Sequence, residues 1–146
     1  MARTAPRMLS VVQTKQLTPN MIRIIFGGEA LMGFPAGRES GYIKLHFPPE
    51  KRRILPLPGH SKPRLRTYTI RAFDPESLQL TIDFVAHGDN GPASAWAQRA
   101  RVGSTIGTTG MGAKKLVDMD ADWFFITGDM TALPAISVNL EQMPRD

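Results

Sequence analysis

Within the run Arg66-Thr67-Tyr68-Thr69-Ile70-Arg71 the chain carries a cation, an aromatic ring and hydroxyls in close succession. In an extended strand Arg66 and Tyr68 project to one side, and Thr67 and Thr69 to the other. A guanidinium presents a fork of donors that fits phosphate oxygens, and the ring beside it offers a flat apolar face. A second run reads Asp83-Phe84-Val85-Ala86-His87-Gly88-Asp89-Asn90-Gly91-Pro92-Ala93-Ser94-Ala95-Trp96. Its first half alternates so that Asp83, Val85 and His87 share a face. Its second half sets Gly91 and Pro92 before an Ala-rich helix whose first turn holds Ala93 and Ser94. Unpaired backbone N–H groups and the helix dipole at such a start attract phosphate, and Gly91 leaves room for a diphosphate to approach the backbone. The two runs together suit an anionic ligand that also carries a flat ring.

These residues need a scaffold of strands. Leu9–Leu17 and Met21–Phe26 read as a hairpin turned by Thr18-Pro19-Asn20. Tyr42–Phe47 alternates as a half-buried strand and ends at Pro48-Pro49. Leu65–Ala72 and Leu78–Ala86 are strands joined by the turn Asp74-Pro75-Glu76-Ser77, with Leu78, Leu80, Ile82 and Phe84 on one face. Ala93–Ala100 is a short helix, and Gly103–Thr108 a last short strand. Six strands joined mostly as hairpins, with one short helix, predict a small antiparallel barrel of Greek-key type, a mainly β fold. From Asp122 the texture changes. Trp123-Phe124-Phe125-Ile126-Thr127 is a continuous apolar run, expected to be a strand buried on both faces of a parallel sheet, and it leads through Gly128 into a helix over about 132–142. That is one βα unit of a nucleotide-binding domain, where several are needed. The expected domains are therefore 1–118, the barrel, and 119–146, the start of a second, truncated domain.

Composition narrows the classes. Lys and Arg number 18 against 13 Asp and Glu, for a net charge of +5, which favours an anionic ligand. No aromatic-basic pattern points to nucleic acid. The absence of cysteine excludes disulfides, iron–sulfur clusters and thiol chemistry. His46, His60 and His87 lack ligand spacing, so no metal site is expected. No stretch approaches the roughly 20 apolar residues of a membrane span, nor does the start resemble a signal peptide, and a cytoplasmic monomer is the expectation.

The Arg-x-Tyr-Thr run, the His-Gly-Asp-Asn-Gly-Pro run and Gly128-Asp129-Met130-Thr131-Ala132-Leu133-Pro134, in that order, resemble the siderophore-interacting proteins. These are flavin-dependent ferric-siderophore reductases within the wider ferredoxin-NADP reductase-like group. The resemblance runs from Leu9 to Ile136. It implies FAD across the barrel, NADPH or NADH as hydride source, and a ferric siderophore as substrate and partner. It also implies residue roles: Arg66 on the diphosphate, Tyr68 against the isoalloxazine or ribityl group, and Thr69 at the flavin's central nitrogen. His87 would contact adenine or diphosphate, with Asp83 and Val85 beside it, and Thr131 would face the nicotinamide. Gly128-Asp129-Met130-Thr131 has no Gly-x-Gly-x-x-Gly spacing, so only the resemblance proposes a nucleotide there.

Each residue also has a plainer reading. Arg66 would serve as a solvated strand arginine, Tyr68 and Thr69 as ordinary β residues, His87 as a structural histidine and Ser94 as a helix cap. Trp96 fits a core residue as well as a cover for the ring. The basic loop Lys51, Arg52, Arg53, Lys62 and Arg64 would either steer an anionic ferric complex or simply face solvent. No catalytic acid or base is expected, because flavin-mediated electron transfer needs none. The rival to a reductase is a non-catalytic module that binds flavin or a ferric siderophore. The single βα unit points to a piece of a longer protein, with a naturally short module as the other possibility.

Overall fold

In the computed structural model residues 6–48, 63–88 and 91–144 are described. Seven antiparallel strands form one sheet: β1 (Arg7–Thr18), β2 (Met21–Gly27), β3 (Tyr42–Phe47), β4 (Arg64–Thr69), β5 (Ala72–Asp74), β6 (Gln79–Val85) and β7 (Thr105–Met111). Their order is β4-β3-β7-β1-β2-β6-β5. Helix α1 (Pro92–Arg99) lies between β6 and β7, and α2 (Leu133–Gln142) follows β7. The sheet curls until β4, at one end, faces β6 near the other, where the rings of Tyr68 and Phe84 stand 4.5 Å apart. The expected mainly β barrel is present, with seven strands among the described residues where six were expected. The predicted strand Leu65–Ala72 divides at Ile70 and Arg71, where the chain passes from pairing with β3 to pairing with β6. Ile70 N–H donates to Gly41 O at 2.9 Å, and Arg71 N–H donates to Thr81 O at 3.0 Å, so successive residues bond to opposite neighbours.

Alternation sorts the side chains. Ile43, Leu45 and Phe47 of β3, and Leu80, Ile82 and Phe84 of β6, fill the interior with Leu9, Val11, Ile24, Phe26 and Ile106. Helix α1 closes one end of the barrel. Its Ala93, Ala97 and Ala100 are small enough for close approach, while Trp96 lies 6.2 Å from Phe26, 5.9 Å from Phe47 and 6.1 Å from Phe84. The β5–β6 hairpin is turned by Asp74, whose carboxylate accepts Glu76 N–H at 2.9 Å and the Ser77 hydroxyl at 2.6 Å.

The run Trp123–Thr127 is not a strand. Residues 123–129 have no regular structure, and Trp123 and Phe125 are 76% and 81% exposed. Phe124 and Ile126 turn instead toward Ile136, Leu140 and Met143. A buried parallel strand needs a neighbour to complete its backbone pairing, and no described strand lies alongside this segment. The predicted helix over 132–142 is α2. Among the described residues no helix is long and apolar enough to cross a membrane, and no cluster of potential metal ligands occurs.

Candidate functional site

Strand β4 supplies the first wall of the site. Its residues pair with β3 as Ile43 with Tyr68 and Leu45 with Arg66. Directly opposed residues share a face, so Tyr68 and Arg66 point to the same side as the buried Ile43 and Leu45, as the alternation required. Tyr68 reaches the core edge, against Phe84 and Phe47, and burial pushes its phenol up to about 12 despite the opposing pull of Arg66. It is a neutral ring. Arg66 lies farther out, where its one described bond runs from Nη1 to the neighbouring Leu65 carbonyl at 2.9 Å. Most of its donor fork is left for something else.

Among the described strands β4 ends the sheet, with one of its edges paired with β3. Ile70 uses both its N–H and its C=O on the Gly41 side, accepting Ser40 N–H at 3.0 Å. Backbone direction alternates along a strand, so Thr67 and Thr69 direct theirs the other way, toward β6. The open edge of β4 thus adds main-chain donors and acceptors to the threonine hydroxyls.

β6 forms the opposite wall with Asp83 and Val85, which lie on the outer face of the barrel, opposite Arg23 and Met21 of β2. Asp83 is engaged already. Arg23 Nε and Nη2 hold its two oxygens at 2.7 and 2.8 Å, Arg71 Nε lies 3.9 Å away, and its side chain is 6% exposed. The same bidentate bond raises the Arg23 guanidinium above its ordinary range. Thr131 and Pro134, at the start of α2, form the third side. The Thr131 N–H and hydroxyl both reach Asp129 Oδ1, at 2.8 and 2.6 Å, and these bonds hold the exposed Asp129 carboxyl below its usual range.

The cleft so enclosed is about 230 Å³ and is lined by Arg66, Thr67, Tyr68, Thr69, Asp83, Val85, His87, Thr131 and Pro134. Seven residues expected from sequence therefore meet there: Arg66, Tyr68, Thr69, Asp83, Val85, His87 and Thr131. Gly91, Ala93, Ser94 and Trp96 are not in its lining. Ser94 is 1% exposed, and its hydroxyl accepts His87 N–H at 3.0 Å and Gln98 Nε2 at 3.0 Å while donating to Gly88 O at 2.7 Å. It fixes the bend between β6 and α1. Gly91 precedes α1 and lies beside the His87 ring, which a Cβ there would meet at 3.4 Å, in ordinary contact. Ala93 and Trp96 pack inward. Asp89, Asn90 and the basic residues Lys51, Arg52, Arg53 and Lys62 lie outside the described residues.

Sequence reasoning gave no site role to Thr67, Pro134 or the Arg23–Asp83 pair. Partners separated by some 60 positions leave no local signature. The cleft's donor set fits a flavin dinucleotide. Among the described residues, one guanidinium, an imidazole, three threonines and a strand edge face a space whose only lining acid, Asp83, is already neutralised by Arg23. Such a balance favours a diphosphate beside a planar ring.

Comparison with known proteins matches residues 10–114 to the siderophore-interacting FAD-binding domain. The ferric vibriobactin reductase ViuB of Vibrio cholerae is 39% identical over 97% of this chain and 56% of its own length. The NADPH-dependent ferric-chelate reductase of Escherichia coli is 30% identical over 95% of this chain and 58% of its own. The crystal structure of a siderophore utilization protein from T. fusca superposes with a TM-score of 0.74 at 32% identity, covering 97% of this chain and 57% of that one. The chain spans a little over half the length of these relatives.

Proposed function

The chain belongs to the siderophore-interacting FAD-binding domain family, and on that footing we propose that it is the flavin-holding part of a ferric-siderophore reductase. The observation carrying this reading is the convergence of Arg66, Tyr68, Thr69, Asp83, Val85, His87 and Thr131, from three separate stretches of sequence, on one cleft. Residues 1–118 are assigned to the flavin barrel and 119–146 to the nicotinamide side.

Arg66 is assigned to the diphosphate of FAD, because its guanidinium is exposed and little used by the fold. Thr69 offers its hydroxyl and outward backbone edge to the ring's central nitrogen, and Tyr68 and Val85 pack against the ring and ribityl chain. His87 contacts diphosphate or adenine from the bend that Ser94 fixes, with Gly91 and Ala93 opening the helix start beside it. Trp96 supports the wall from within the barrel, Asp83 shapes it as a neutralised pair, and Thr131 stands on the nicotinamide side. Bound there, FAD supplies an acceptor for the hydride of NADPH and a donor of single electrons to two ferric ions. Tyr68 stays protonated throughout the working pH range and adds no charge beside the ring. Ferrous iron is a poorer partner than ferric for the hard oxygen ligands of a siderophore, so reduction loosens the chelate.

Support for the iron substrate comes from the reductases named above, and for NADPH from the Escherichia coli relative. A cytoplasmic monomer remains the proposed setting. The rival reading is a module that binds flavin or a ferric siderophore without turnover.

The experiment titrates the purified chain with FAD and FMN by flavin fluorescence. It then reduces the loaded protein with dithionite, removes the excess, and adds a ferric catecholate complex with a ferrous-specific chelator. Tighter binding of FAD, followed by ferrous iron, is expected. Equal affinity for FMN, or no binding, overturns the dinucleotide site; bound FAD without ferrous iron favours the module.

A further inference from the structure

Helix α2 bears one wall of the cleft, yet little apolar packing holds it to the barrel. Its one deeply buried apolar side chain beyond Pro134 is Val138, which lies outside the main core cluster. A hollow of about 210 Å³ separates Leu133, Pro134 and Ser137 from Leu17, Met21 and Arg23 of the β1–β2 hairpin and from Asp83. The first turn of α2, beside the cleft, therefore has space behind it.

The polar anchors lie at the other end. Asn139 Oδ1 accepts Val117 N–H at 2.8 Å, and Asn139 Nδ2 donates to Lys115 O at 3.0 Å. Two residues on, Glu141 takes both terminal nitrogens of Arg71, with Nη1 to Oε2 at 3.0 Å. Arg71 is well placed for this. Its backbone is bonded to β6 through Thr81, its Nε lies 3.9 Å from Asp83, and it follows the Thr69-Ile70 end of β4 directly. Arg23, Asp83, Arg71 and Glu141 thus make one charge-balanced row from β2 across β6 to α2. Seven residues of helix, about 10 Å, separate Glu141 from Pro134.

We propose that Arg71 and Glu141 are positioning residues for the flavin site: their ion pair fixes the pitch of α2, and so how closely the Thr131–Pro134 wall covers the bound ring. Neither side chain lines the cleft. The inference rests on the FAD reading. Losing the pair lets the first turn of α2 swing into the hollow behind it, opening the ring to solvent without removing any group that grips the diphosphate.

The test uses FAD-saturated protein and acrylamide quenching of the bound flavin's fluorescence, which reads solvent access through a neutral quencher and so does not respond to the change of charge itself. Glu141→Gln, which preserves shape, and Arg71→Gln should each raise the quenching constant about fivefold, the low end for coupling between sites. The double variant should be no worse than Arg71→Gln alone, since both remove one interaction. Arg71→Lys, with the charge but not the fork, should fall between wild type and Arg71→Gln. Wild-type quenching in Glu141→Gln, or fully additive effects, would overturn the proposal while leaving the FAD site standing. Failure of the wild type to bind FAD overturns both.

Discussion

Arg66→Ala isolates the anion-binding half of the site from the fold. The guanidinium makes one described bond, to the carbonyl of its own neighbour Leu65, and the residue is exposed on a sheet edge. Its loss should therefore change unfolding free energy by no more than about 0.5 kcal/mol, the usual range for surface positions. Toward a diphosphate the same group would supply charge-assisted bonds worth about 1.5–3 kcal/mol. The dissociation constant for FAD should then rise about tenfold to a hundredfold. Riboflavin has the ring but no phosphate, and its weaker binding should not change. Arg66→Lys should recover part of the loss, because an ammonium keeps the charge without the planar fork. The assay is titration of flavin-free protein, at two salt concentrations, with denaturant melts of each variant in parallel. The loss in Arg66→Ala relative to wild type should shrink at high salt, since an exposed charge is screened. Unchanged FAD affinity in Arg66→Ala, or an equal loss for riboflavin, would refute the assignment; an unfolded variant would make Arg66 a structural residue.

Other outcomes follow from the same geometry. Ser94→Ala should cost about 1–3 kcal/mol in urea melts, because it strands the His87 N–H while Gln98 still reaches the Gly88 carbonyl, and should weaken FAD less than Arg66→Ala does. Asp83→Ala should destabilise by about 1–3 kcal/mol, below the range for a fully buried pair because Arg23 is partly exposed; a neutral melt would mean that the pair is not a wall element. Tyr68 is an acid whose folded pKa, about 12, lies above its unfolded one. Its contribution to stability is therefore whole below pH 10 and lost as pH rises from 10 toward 12. Across that window wild type should lose about 2–3 kcal/mol more than Tyr68→Phe, as read by denaturant midpoints at stepped pH. Stopped-flow reduction of the FAD-loaded chain should be rapid with dithionite and very slow with NADPH, because residues 123–129 form no part of a sheet; rapid reduction by NADPH would refute that argument.

The barrel was legible because alternation is a local signal. Tyr42–Phe47 and Leu80–Phe84 announce their buried faces within six residues, and the Arg66, Tyr68 pair announces a shared side. What escaped depends on contacts between distant residues. The break at Ile70 and Arg71 exists because the chain leaves its pairing with β3 there and takes up pairing with β6, and neither partner is visible from the run itself. Ser94 reads in sequence as a helix-start residue open to phosphate, yet its hydroxyl is consumed by the bend before it. The apolar run at 123–127 shows why composition does not equal burial. Hydrophobicity states what a segment would favour, and only a neighbouring strand lets it sit inside a sheet.

Trp123 and Phe125 bear on how the protein behaves in the test tube. Two exposed aromatic rings stand two residues apart in a segment of no regular structure, so they offer apolar surface to a neighbouring molecule. Stickiness in concentrated preparations would thus originate at these two rings, and salt, which weakens the repulsion of a chain carrying +5, would worsen it. Arginine or a mild detergent in the buffer would then keep molecules apart without touching the flavin pocket, and replacing those two rings by polar residues would do so permanently.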